Sequence, residues 1–154
     1  MELTDLIGPE DIVVNLRSNC KKTLLSDLAE IAAEKTGIAS RKIFETLLER
    51  ERLGTTGIGR GIAIPHGKLD ALDGITGILA VLEKPIDFDS VDMEPVDIVF
   101  LLLADDKEGA EHLKMLSRIA RTLRNESFVT EMRSAGNSDA LYVLLSNQEA
   151  ANAA

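Results

Sequence analysis

Apolar positions along this chain switch between two periods, and each switch marks an element. The stretch IVVNL, Ile12–Leu16, is β-branched and reads as a first strand. From about residue 21 to 35 the spacing turns helical. Leu24, Leu28, Ile31 and Lys35 advance in steps of three and four, and Leu25 and Ala32 widen the stripe. Ser18 or Asn19 is placed to cap this helix and Gly37 to end it. Ser40 is the expected cap of a second helix that buries Ile43, Phe44, Leu47 and Leu48. It ends near Leu53, with Gly54 as the expected left-handed residue.

The segment GTTGIGRG that follows is too glycine-rich for the interior of an element. IAIP reads as a short strand, and a longer one spans residues 75–83. VDIVFLLLA is a nearly unbroken apolar run, as expected of a central strand buried on both faces. Between these last two lies IDFDSVDMEPVD, read as a solvated acidic loop or hairpin connection. After DDKEG comes an amphipathic helix over about 110–124, with Leu116, Ile119, Ala120 and Leu123 on its stripe. Shorter helices are expected at 128–133 and 139–145, and the tail 149–154 is expected to fray. The order β-α-α-β-β-β-α-α-α predicts an α/β fold: one three-layer α/β/α domain over residues 1–154 with a mixed sheet.

Composition narrows the function classes. The 154 residues are 45% hydrophobic and 28% charged, as in an ordinary globular protein. The net charge of −9 argues against nucleic acid or an anionic membrane as partner, because phosphate contacts need clustered Lys and Arg. One Tyr and four Phe are too few for base-stacking platforms. The longest apolar run, IVFLLLA, is far short of the roughly 20 residues a membrane helix needs. The acidic N-terminus is not a secretory signal, so a cytoplasmic protein is expected. The single cysteine, Cys20, allows no internal disulfide and reads as a small semi-buried residue near a helix start.

The chemistry then rests on few residues. The glycine segment fails as a nucleotide P-loop, since Arg60 and Gly61 stand where Lys and a hydroxyl residue are required. The dinucleotide fingerprint fails at Ile62. Two histidines with no HExxH or CxxC make no metal framework, and no GxSxG elbow supports a serine hydrolase. No metal and no cofactor are therefore expected. His66 remains, framed by Pro65 and Gly67. Pro65 sets the direction in which the chain leaves the strand, and Gly67 leaves room beside the imidazole. A neutral imidazole there is either a structural core group or a nucleophile. His112 shares the stripe of Leu116, Ile119 and Leu123, either as a core histidine or as a group presented from a helix start toward an anion.

LLERERLGTTGIGRGIAIPHGKL resembles the active-site region of phosphotransferase-system EIIA proteins of the mannitol/fructose/nitrogen-regulatory type. EHLKMLSRIARTL resembles that family's second histidine region. The opening LTDLIGPEDIVVNLRSNCKKTLLSDLA is similar to the nitrogen-regulatory branch. The resemblance implies that His66 is phosphorylated, that His112 lies beside it and that Arg50 supplies positive charge to the phosphoryl group. Only family register selects Arg50 over its neighbour Arg52. It further implies that Thr55, Thr56, Gly57, Gly59, Gly61 and Gly67 line the phosphate pocket. Arg60 has no role in this picture. The implied donor is an HPr- or NPr-like phosphocarrier charged from phosphoenolpyruvate. The implied targets are regulatory: potassium transport, sensor kinases or stringent-response proteins. Two alternatives stand beside this. One is a sugar-transport EIIA passing phosphate to a separate EIIB. The other is a non-phosphorylated interaction protein with a structural His66.

Overall fold

A computed structural model of the chain describes residues 1–107 and 109–153. In chain order the elements are α1 (Leu3–Leu6), a 3₁₀ turn (Pro9–Asp11), β1 (Ile12–Leu16), α2 (Lys21–Thr36) and α3 (Ser40–Leu53). Then come β2 (Gly57–Gly59), β3 (Ile62–Ala63), β4 (His66–Lys68), β5 (Ile75–Ile86) and β6 (Val96–Ala104). Three helices close the chain: α4 (Gly109–Leu123), α5 (Glu126–Ser134) and α6 (Ser138–Ala153).

The six strands form one mixed sheet in the order β1-β5-β6-β3-β2, with β4 also paired to β6. β5 and β6 are antiparallel, whereas β1 joins β5, and β3 and β4 join β6, in parallel. The period of two along β6 sorts its side chains between two cores. Val99, Leu101 and Leu103 pack with Leu24, Leu28, Ile43 and Leu47 of α2 and α3. Ile98, Phe100 and Leu102 pack with Leu3, Ile119, Phe128 and Leu141 of the other helices. The strand expected to be buried on both faces is so, and the three-layer architecture follows from it.

Several local expectations are corrected. The residue before α2 is Cys20, with no side-chain cap, because Ser18 Oγ is turned to Asp27 Oδ2 at 2.7 Å. Cys20 itself is exposed, not semi-buried. Ser40 is the first residue of α3 rather than its cap. Gly37 ends α2 in the left-handed conformation as expected, but Gly54 at φ 160° is extended. The glycine segment holds a strand after all, since β2 pairs antiparallel with β3.

The tail is the largest correction. Helix α6 runs to Ala153, and Glu149 within it is 2% exposed. Its carboxylate accepts the Leu3 amide of α1 and lies 3.7 Å from Arg118 Nε. Arg118 also donates to the Met1 carbonyl at 2.8 Å. The tail is ordered by the far end of the chain, which no local pattern reveals. Ala154, the last residue of the expected frayed tail, lies outside the described residues.

Candidate active site

His66 opens β4, whose three residues pair in parallel with Leu102–Ala104 at the end of β6. Pro65 is part of that register: its carbonyl accepts the Leu102 amide at 3.0 Å. Gly67 serves packing. A Cβ there would lie 2.7 Å from Thr46 Cγ2, so its absence lets α3 settle against β4. That approach brings the last turn of α3 beside the imidazole.

Both ring nitrogens of His66 are engaged. Nδ1 lies 2.9 Å from the Ile64 carbonyl, which can only accept, so Nδ1 carries the proton. Nε2 is then the lone-pair nitrogen, and it accepts from Arg50 Nε–H at 3.2 Å. Arg50 is steadied by donating Nη1–H to the Gly54 carbonyl at 3.0 Å. Geometry thus separates Arg50 from Arg52, which is exposed and lines the rim of the same cleft.

His112, in the first turn of α4, is 5% exposed, and its ring centroid lies 5.5 Å from that of His66 with the planes tilted by 52°. Among the described residues its Nδ1 has no hydrogen-bond partner. The two imidazoles meet because β4 pairs with the end of β6 and α4 begins shortly after β6 ends. Burial pushes the pKa of both histidines below the ordinary value. Arg50 adds to the shift at His66, where the Ile64 hydrogen bond and Glu51 oppose it. The neighbouring His66 and Lys68 add to it at His112. Both rings are therefore neutral at neutral pH, and the lone pair of His66 Nε2 is held only by the Arg50 hydrogen bond.

The pair opens onto a cleft of about 880 Å³ that also takes in Lys68 and the apolar Leu53, Leu113 and Leu116. Leu53 is 85% exposed and Leu113 67%. On a chain of net charge −9, this mouth carries Arg50, Arg52 and Lys68 against one carboxylate, Glu49. The local field therefore favours an anion although the molecule is acidic. The sequence reading missed Lys68, although it lies two residues after His66. It also missed the exposed leucines, which helical periodicity alone does not single out.

The rest of the expected phosphate loop lies elsewhere. Of its residues only Gly67 lines the cleft; Thr55, Thr56, Gly57, Gly59 and Gly61 do not. The Thr56 amide donates to Glu51 and the Gly57 amide to Thr55 Oγ1. Gly57 is pressed on Ser90, where a Cβ would stand 2.3 Å from Oγ. Gly59 backs the Asp92 carboxylate, and Gly61 faces Arg133 and Asp97. The Asp92 carboxylate thus takes the space at Gly59, and the Arg133–Asp97 ion pair takes it at Gly61. Arg60 gains a role. It sits at φ 57° in the turn between β2 and β3, its amide donates to Asp92, its carbonyl accepts from Arg133 and its guanidinium pairs with Glu126 at 2.6 Å.

Comparison with known proteins identifies relatives over nearly the whole chain. The chain is 52% identical over 145 residues to a nitrogen regulatory protein of Bradyrhizobium diazoefficiens, covering 94% of this chain and 95% of that one. Its fold superposes on the crystal structure of nitrogen regulatory protein IIA-Ntr from Neisseria meningitidis with a TM-score of 0.88 at 28% identity, covering 93% and 98% of the two chains. The mannitol IIA of Escherichia coli shares the fold, with a TM-score of 0.77 at 20% identity over 90% of this chain and 98% of that one. The pattern of the phosphoenolpyruvate-dependent sugar phosphotransferase system, EIIA 2, matches residues 5–148, and the chain belongs to that family.

Proposed function

We propose that this protein is a regulatory phosphocarrier whose His66 Nε2 accepts a phosphoryl group from a phosphohistidine on an HPr- or NPr-like protein. The observation that carries this is the pair of contacts on one ring. Nδ1–H is held by Ile64 while Nε2 faces the cleft with Arg50 at 3.2 Å. In the transfer, the Nε2 lone pair forms a bond to phosphorus as the donor's P–N bond breaks. The electron pair of that bond returns to the donor imidazole. A donor ring that enters protonated leaves neutral, and His66 keeps its Nδ1 proton and becomes the phosphoimidazolium. No nucleotide or metal takes part in the exchange. The protein's work is positioning and charge stabilisation. Arg50 swings from the lone pair to the phosphoryl oxygens. His112, whose ring centroid is 5.5 Å from that of His66, supports the same phosphoryl group in this reading.

The exposed leucines at the cleft suit docking of a carrier protein, and such carriers place the reaction in the cytoplasm. The regulatory output follows from electrostatics. A phosphoryl group adds about −1.5 to −2 charges to this face and changes which partner can dock. The nitrogen regulatory relatives favour this output over passage of phosphate to a sugar-transport EIIB. The test is phosphoryl incorporation from phosphoenolpyruvate with an enzyme I homologue and the carrier present. Wild type takes up one acid-labile phosphate per chain, and His66→Ala takes up none while melting within a few degrees of wild type. Unchanged uptake in His66→Ala overturns the proposal.

A further inference from the structure

The relay behind the imidazole starts from a carboxylate in an unfavourable place. Glu51 is in the last turn of α3, where the helix dipole disfavours an anion, and its side chain is 3% exposed. A buried carboxylate persists only where its partners are fixed. Lys21 Nζ lies 2.7 Å from it, the Thr56 amide donates to it at 2.9 Å, and the Thr56 hydroxyl donates to it as well. Lys21 in turn lies over the Phe88 ring at 4.7 Å from the centroid.

From Thr56 the relay runs on without a break. The Thr56 carbonyl accepts the Ile64 amide at 3.0 Å, and the Ile64 carbonyl accepts His66 Nδ1–H at 2.9 Å. Neighbouring residues at one helix end thus address opposite nitrogens of one ring: Arg50 reaches Nε2 directly, and Glu51 reaches Nδ1 through Thr56 and Ile64. We infer that Glu51, held by Lys21, is a positioning residue that fixes the Ile64 carbonyl and so keeps His66 in the Nδ1–H tautomer with Nε2 free. This inference rests on His66 as the proposed acceptor. The acceptor oxygens of Glu51 carry the role. Its charge is what Lys21 compensates, so Gln can hold Thr56 where Leu cannot.

The test reads two quantities on the full chain. ¹⁵N NMR of the unphosphorylated protein at neutral pH reports which His66 nitrogen bears the proton. Rapid-quench transfer from the phosphorylated carrier reports the rate. Glu51→Leu is expected to mix the two tautomers and slow transfer on the order of 10²-fold, the cost of a small misplacement. Glu51→Gln is expected to keep the wild-type tautomer and a rate within about threefold, since its amide oxygen still accepts from Thr56. Thr56→Ala, which removes the hydroxyl and the γ-methyl but keeps the amide bonded to Glu51, is expected to give a smaller loss of both and decides the matter if Glu51→Leu does not fold. A wild-type tautomer and rate in Glu51→Leu, or in Thr56→Ala when it alone folds, overturns the role of Glu51, however far the melting temperature falls. The tautomer is read without a donor. A wild-type chain with ordered Nδ1–H that takes up no phosphate therefore sinks the acceptor reading and not this one.

Discussion

The segment GTTGIGRGIAIPHGK contains a glycine-rich region and a second region with one glycine, and the two end with opposite uses. In the first, residues 54–61, the space beside Gly57, Gly59 and Gly61 is filled by Ser90, Asp92, Asp97 and Arg133. In the second, residues 65–68, Gly67 lets α3 close on β4, and the imidazole beside it faces an open cleft. Glycine reports that something comes close to the backbone, but not what. At Gly57 and Gly59 that neighbour is the protein's own acidic β5–β6 connection, and at Gly61 it is Asp97 of β6 with Arg133 of α5. Thr55 Oγ1 bonds the Phe88 carbonyl at 3.0 Å, and the Val91 amide bonds the Gly57 carbonyl at 3.2 Å. So the first region packs against the protein's own side chains, and the second borders the open cleft where we propose the chemistry.

The sharpest way to break this contrast is at Arg50. Arg50→Gln removes the guanidinium at Nε2 and is expected to slow phosphoryl transfer by about 10²–10³-fold, as removing one transition-state donor does. Arg52→Gln, one exposed neighbour away, is expected to stay within a few-fold in the same assay. Equal losses in the two variants would show that the rim's total charge matters rather than the contact.

Gly57→Ala tests the scaffold side. A methyl group there meets Ser90 Oγ at 2.3 Å and its Cα at 3.1 Å, and overpacking of this kind costs about 1–3 kcal/mol. Chemical denaturation should show that loss, while folded protein accepts phosphate at the wild-type rate. Normal stability with lost transfer would return the glycine loop to the active site.

The dependence on pH separates the two regions again. Burial holds the pKa of His66 below its ordinary value near 6.5, so the imidazole stays neutral through neutral pH. Protonation begins only below that value, and the transfer rate then falls about tenfold per pH unit. The stability effect has the same sign. The unfolded chain binds the proton first, so folding weakens as pH falls below about 6.5. A rate profile already falling between pH 8 and 7 would contradict the buried, lowered imidazole. Smallest of all, Arg60→Ala breaks the exposed pair with Glu126 and should cost less than about 1 kcal/mol in a thermal scan, without slowing transfer.

Much of the architecture was legible because burial is periodic. VDIVFLLLA is the two-faced strand its apolar run predicts, and Ile119 and Leu123 of the α4 stripe face a core while Leu116 lines the cleft. Gly37 marked a real helix end. The glycine segment misled because its hydrogen bonds go to residues some 30 positions away, and the tail misled because Glu149 is held by Leu3 and Arg118.

The sequence by itself determined the order of the long elements and the three layers and singled out His66, since period and the Pro-His-Gly frame are local properties of the chain, whereas α1, β2 and β4 are too short to leave a periodic signal. The tertiary structure alone decided the site. The parallel pairing of β4 with β6 set His66 where α4 brings His112, and the packing of Thr46 on Gly67 brought Arg50 to Nε2. These are distances between residues far apart in the chain, and only strand register and helix packing fix them.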